Sequence, residues 1–187
     1  MSKRYLHPVM ESTAASLEYE AIGPADQPRL FALMQRIYPP SYAYLWPDDG
    51  AWYVESQYGE ENFRRELAEP GAAYAFVRYA DRDVGIVRTL AGRPLPDVPG
   101  RPATKLHRLY LDPAVHGRGI GRGVMGKVVA DCRSRGDALV WLEAMDSSAA
   151  ALAFYARLGF VRTAPFRLDM PLMYPARRGM WRMAKHL

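Results

Sequence analysis

The sequence predicts a single α/β domain on one mixed sheet, with strand-like and helix-like segments in the order β-α-α-β-β-β-α-β-α-β-β. Three observations carry this prediction. The chain has 187 residues and is 49% hydrophobic, enough for one sizeable core and short for two. Period-two and helical patterns alternate along the chain instead of falling into separate blocks. Near its centre a strand-like run meets a glycine-rich turn that opens a helix at once. Residues 1–16 are expected as a tail or edge segment, and the domain as residues 17–187.

The elements follow in order. Leu17, Tyr19 and Ala21 alternate with polar residues and predict a first strand. Asp26 is placed to cap a helix with Pro28 in its first turn and Leu30, Leu33, Met34 and Ile37 on one face; Pro39-Pro40 stops it. An aromatic, acidic stretch leads into one helix expected over residues 56–68, ended by Pro70-Gly71. Residues 73–79 and 84–90 read as a hairpin through Asp81-Arg82-Asp83. Four prolines and two glycines make residues 92–102 a loop before a strand over 106–111. The turn at residues 116–123 opens a helix reaching about Arg135, with Val124, Met125, Val128, Val129 and Cys132 at helical spacing. A strand over 138–143 precedes a helix over 148–158, capped by Asp146 and Ser147 and closed by Gly159. Residues 160–168 and 180–185 complete the sheet.

Composition narrows the function classes. No apolar run approaches the roughly 18 residues that span a bilayer, so no membrane partner is expected. Cys132 is the one cysteine, which excludes an intrachain disulfide and suits a cytoplasmic protein. The histidines His7, His107, His116 and His186 are scattered, without metal-ligand spacing, so no metal is expected. The net charge is +5, yet the basic residues form no run interleaved with aromatics, and no nucleic-acid partner is expected. The acids cluster instead: Asp48, Asp49, Glu55, Glu60, Glu61, Glu66 and Glu69 lie close together, against Arg64 and Arg65.

The turn is the most informative segment. Glycine lets main-chain N–H groups converge on an anion, and the helix start adds unpaired donors and about half a positive charge. Arg118 and Arg122 add side-chain charge. Together these describe a pyrophosphate cradle. Gly121, Gly123 and Gly126 also satisfy the G-x-G-x-x-G spacing of dinucleotide-binding folds, but they fall inside the helix, and too little chain follows for a doubly wound sheet.

The segment from Leu106 to Gly121 resembles the acetyl-CoA-binding motif of the GNAT superfamily, [Gln/Arg]-x-x-Gly-x-[Gly/Ala], with His116, Gly119 and Gly121 on its positions. His116 departs from the usual Gln or Arg. The run from Trp141 to Phe160 resembles the family's fifth strand and following helix, ending A-x-x-F-Y-x-x-x-G-F, with Ser148 where many members have Asn. Trp141 to Asp146 and Trp181 to Lys185 look most like bacterial polyamine or diamine acetyltransferases. The resemblance implies an acetyl-CoA-dependent N-acetyltransferase in which an amine attacks the thioester directly, and a homodimer is common among such proteins. It implies that Leu109, Tyr110, Leu111, His116, Gly117, Arg118, Gly119, Ile120, Gly121, Arg122, Ser148, Phe154 and Tyr155 hold acetyl-CoA. The N–H of Leu109 would polarise the acetyl oxygen.

Tyr155 matches the family tyrosine assigned as general acid, and a phenol of pKa about 10 can protonate a departing thiolate. Leu106-His107 resembles the strand of serotonin N-acetyltransferase, whose histidines act as general base through water. His107 shares strand parity with Leu109 and Leu111, and an ordinary pKa near 6.5 suits that duty. Glu143 and Asp146 are alternative bases, and Glu143 has Arg108 as an expected ion-pair partner. Tyr44, Trp46, Asp48, Asp49, Trp52 and Glu55 are expected to wall the acceptor site, where aromatic faces and acids attract a small cationic amine. Two alternatives stand beside this: acetylation of a protein N-terminus or lysine, and a non-catalytic CoA-binding regulator.

Overall fold

The structure is a computed structural model that describes residues 16–187. The expected N-terminal tail falls almost wholly outside the described residues. Seven strands form one sheet: β1 (Leu17–Ala21), β2 (Ala72–Tyr79), β3 (Arg82–Ala91), β4 (Ala103–Leu111), β5 (Leu139–Met145), β6 (Val161–Arg167) and β7 (Gly179–His186). Their spatial order is β1-β2-β3-β4-β5-β7-β6. Every pair is antiparallel except β4–β5. The predicted mixed α/β sheet holds, with the strands in the expected order along the chain.

Four helices cover one face: α1 (Gln27–Ile37), α2 (Pro39–Tyr42), α3 (Ala51–Tyr58) and α4 (Glu60–Leu67). Leu30, Leu33, Met34 and Ile37 of α1 are buried there beside Phe76 and Ile86 of the sheet, each contributing about 1.5–3 kcal/mol of burial. α5 (Ile120–Ser134) and α6 (Ala149–Arg157) cover the other face over Val87, Leu106, Val140 and Leu142. Two boundaries differ from expectation. The helix expected over 56–68 is two helices broken at Gly59, whose extended ψ of 158° ends α3 and starts α4. Pro39-Pro40 ends α1 but also begins α2, since proline is tolerated in a first turn. At the start of α6 the N-cap is Ser148, and no side chain caps it, so Asp146 and Ser147 do not serve as caps.

Two irregularities in β4 set up the site. β4 pairs with β5 only over Ala103–Leu106 against Leu139–Leu142, and both strands then continue unpaired with each other. Against β3, Arg88 pairs with Arg108 and Thr89 with Leu106, so His107 is one extra residue. Such a bulge bends a strand and shifts its alternation. Leu106 therefore faces α5 and α6, while His107 and Arg108 both face the α1–α4 layer, where they meet Arg88 and Glu66. Tyr110 then points to the α1–α4 side, and Leu109 and Leu111 to the other.

Candidate active site

The strand-to-helix connection after β4 is built from main chain. Asp112 folds it by accepting from the N–H of Ala114 at 2.9 Å, and Pro113–Val115 form a single 3-10 turn. Gly117 and Gly119 follow at φ of 77° and 78°, a region that disfavours side chains, and a Cβ on either would meet nothing within 4 Å. The space beside them is open. The N–H groups of Gly117, Arg118, Gly119, Ile120, Gly121 and Arg122 donate to no protein group among the described residues. Gly121 is held for a different reason: a Cβ there would lie 3.2 Å from the ring of Phe154. His116, Arg118 and Arg122 are exposed around this turn.

Where β4 and β5 part, a cleft of about 200 Å³ opens. Leu109, Tyr110, Ser148 and Tyr155 line it, together with Glu143. Tyr155 is partly buried on α6, with its ring 5.1 Å from that of Phe154, and its hydroxyl bonds no described residue. Burial raises its pKa above the ordinary phenol value, with a smaller push from Tyr42, so the hydroxyl is protonated at neutral pH. The α1–α4 side of the cleft is a stack of tyrosines. Tyr38 lies on Tyr42 and Tyr53 at centroid distances of 5.0 and 4.5 Å, and Tyr53 and Tyr110 share a 3.0 Å hydroxyl hydrogen bond. Met145 of β5, Met170 and Met173 from the segment between β6 and β7, and Met180 of β7 close it.

His107 stands beside an ion network rather than beside Leu109 and Leu111. Arg88 Nη1 lies 2.6 Å from His107 Nδ1. Arg88 reaches Glu69 at 2.6 Å, and Arg108 reaches Glu66 at 2.5 Å and Gln57 at 2.9 Å. Burial, then the charges of Arg108 and Arg88, push the His107 pKa down to about 2. The expected titration near 6.5 and the expected parity are both corrected, and the bulge is the common cause. The expected Glu143–Arg108 pair is corrected as well, since Arg108 is taken by Glu66 and Gln57. Glu143 pairs instead with Lys105 at 2.6 Å and sits 3.7 Å from Arg182. Asp146 is exposed, next to β7 at Gly179.

The acids expected to wall the acceptor do not line the cleft. Asp48 is spent on its own helix, accepting from the N–H of Gly50 at 3.1 Å and of Trp52 at 2.7 Å. Asp49 occupies a left-handed turn at φ 56°, and Glu55 is exposed on α3. Trp46 is 2% exposed and donates to the Tyr38 hydroxyl at 2.8 Å, with Trp52 tilted against it, so both tryptophans support the tyrosine stack from behind. Tyr44 reaches the rim, bonding Ser147 at 3.1 Å. The expected acceptor segment, residues 42–55, does supply Tyr42 and Tyr53 to the lining; sequence reasoning missed Tyr38 and the methionines. The aromatic spacing through α1–α3 was a usable signal, while Met170 and Met173 come from a segment with no pattern. A second, wider cleft of about 600 Å³ lies on the other side of His107, lined by Arg65, Glu69, Arg93, Lys105 and Trp141 among others. No group of three potential metal ligands occurs among the described residues.

This arrangement meets its relatives in the comparisons. The model of the Acetyltransferase (GNAT) family matches residues 31–160. The chain belongs to the GNAT family. It is 32% identical over 149 residues to an uncharacterized N-acetyltransferase of Mycobacterium bovis, covering 76% of this chain and 89% of that relative. Over 55 residues it is 38% identical to the [ribosomal protein bS18]-alanine N-acetyltransferase of Escherichia coli, covering 29% of this chain and 37% of that one. The crystal structure of PaiA N-acetyltransferase from Thermoplasma acidophilum in complex with coenzyme A superposes with a TM-score of 0.68 over 92% of this chain and 99% of that chain. Identity there is 15%, a likeness of fold. This GNAT protein is an N-acetyltransferase. No helix among its described residues is long and apolar enough to cross a membrane.

Proposed function

We propose that this GNAT protein transfers an acetyl group from acetyl-CoA to a primary amine by direct attack while both substrates are bound. The observation that carries the reading is the alignment of one parted strand pair with two different ends. One end is the open turn with six N–H groups that bond no protein group among the described residues; the other is the tyrosine and methionine cleft. The residues fit a diphosphate there, because Gly117 and Gly119 leave room for it and the helix start favours its charge. When bound, acetyl-CoA supplies the activated acyl group as a thioester.

The chain's own groups then have distinct duties. The N–H groups from Gly117 to Arg122 hold phosphate oxygens, with Arg118 and Arg122 as outer charges. The β5-facing main chain of β4 beyond Leu106 is left without a β5 partner and binds an extended chain, and the Leu109 N–H polarises the acyl oxygen. Tyr155 gives its hydroxyl proton to the departing sulfur. Glu143, whose Oε1 is ion-paired with Arg182 but makes no hydrogen bond among the described residues, holds the amine and the water that takes its proton. His107 does not fill that role in this reading, because a ring accepting from Arg88 at Nδ1 carries its proton on Nε2.

The acceptor cleft supports an amine on an apolar or aromatic body better than a polyamine. Its one lining carboxylate, Glu143, is shared with Lys105, whereas Asp48, Asp49 and Glu55 are elsewhere. A protein N-terminus is a second reading, supported by the printed acceptor of the Escherichia coli relative. A cytoplasmic setting goes with this function and with the lone, buried Cys132. The test is release of CoA from acetyl-CoA with a panel of aromatic amines, polyamines and N-terminal peptides. Turnover of an aromatic amine above that of spermidine supports the reading. Spermidine as the best acceptor would replace the aromatic cleft as acceptor site.

A further inference from the structure

We propose that the acceptor is an amine that also carries a carboxylate, an amino acid or short peptide, seated with its carboxylate in the wider cleft and its amine in the narrower one. This rests on the acyl-transfer reading above and adds an acceptor class to it.

The two clefts meet at His107, which lines both. Lys105 lines the wider cleft and Glu143 the narrower, and their 2.6 Å ion pair spans the boundary. Cations are in excess on the wide side. Glu66 and Glu69 face it, but Glu66 is held by Arg108 at 2.5 Å and Glu69 by Arg88 and Arg93. Arg65 bonds the neutral amide oxygen of Asn62 and joins no ion pair among the described residues. Donors are in excess too: the Arg65 guanidinium spends one N–H on Asn62 and makes no other hydrogen bond among the described residues.

His107 adds a donor at the junction. Arg88 can only donate, so Nδ1 accepts, and the single proton of the neutral ring sits on Nε2. That N–H bonds no protein group among the described residues. A carboxylate answers this set: it accepts from guanidinium, ammonium and imidazole N–H groups in one plane. Its monovalent charge suits walls that already hold two carboxylates better than a phosphate dianion does. On the narrow side, Glu143 Oε1 is ion-paired with Arg182 Nε at 3.7 Å, beyond hydrogen-bond reach, which leaves its hydrogen-bond capacity for an ammonium. A zwitterion thus meets opposite charges at its two ends, while the tyrosine and methionine walls receive its side chain.

The experiment compares phenylalanine, phenylalaninamide and 2-phenylethylamine as acceptors at saturating acetyl-CoA. KM is expected to rise about ten-fold or more when the carboxylate is lost, as one charge-assisted hydrogen bond disappears. Arg65→Ala and His107→Phe should draw the three KM values together, and His107→Gln, which keeps an acceptor and a donor, should restore their spread. Calorimetry with the products N-acetylphenylalanine and N-acetyl-2-phenylethylamine in the presence of CoA asks the same question without turnover. Equal KM values, equal product affinities, or no binding of either product overturn the carboxylate assignment. Tighter binding of N-acetylphenylalanine without CoA release from any acceptor supports the carboxylate site and overturns the acyl-transfer reading instead.

Discussion

The turn that opens α5 and the ion network around His107 both hang from β4, and they are built in opposite ways. The turn is exposed main chain, and it works because Gly117 and Gly119 remove side chains from it. The network is buried side chain, drawn from β3, β4, α3 and α4: Arg88 is 0% exposed and Arg108 5%. Neighbours in sequence make the turn. Contacts between residues 19, 42 and 51 positions apart make the network. A site made of main chain fails by adding atoms, whereas a network of buried charges fails by losing one.

Glu66→Leu should produce the largest stability effect. It leaves Arg108 buried without its carboxylate, and breaking such a pair costs about 3–5 kcal/mol. Urea unfolding measures it; a loss near zero would mean that water reaches Arg108 and that the network is not the rigid half of the comparison. Tyr155→Phe comes next and belongs to catalysis. It should lower kcat by about 10²–10⁴-fold with little change in KM for the amine, read from steady-state rates. Wild-type turnover with chemistry rate-limiting would reduce Tyr155 to packing.

Gly119→Ala tests the other half. The positive φ makes any side chain cost about 1–2 kcal/mol, and the added methyl enters the space assigned to the diphosphate. Acetyl-CoA affinity should fall well beyond what the stability loss explains, as seen by calorimetry on the folded variant. Unchanged affinity would move the cofactor away from the turn.

His107 gives a pH signature. Its pKa is lower in the folded chain, about 2, than the ordinary 6.5, so the unfolded chain binds the extra proton below pH 6.5. The stability linked to this ring is therefore complete above pH 6.5 and declines as pH falls toward the folded value. Unfolding at pH 6.5 and 4.5 should show that decline, and His107→Gln should make it shallower; an identical slope in the variant would place the titration elsewhere. The smallest effect is expected at Asp49 and Glu55. Asn and Gln there should shift amine KM less than about two-fold, consistent with exposed positions whose substitutions stay within about 0.5 kcal/mol. A larger rise would return them to the acceptor site.

The sequence alone determined the order of strands along the chain, the helix face of α1 and the glycine turn. Each is a local pattern: an alternation, a helical stripe, or a residue type that a positive φ demands. Tertiary structure alone decided which way His107 and Arg108 face, because one bulged residue cancels the parity that a strand pattern assumes. It also decided that Asp48 accepts from the Trp52 N–H at the start of α3 instead of meeting an amine, and that Met170 and Met173 beyond β6 help close the cleft. Composition locates charge along a chain but gives it no direction, and the direction of a buried side chain is set by the partners that offset its desolvation.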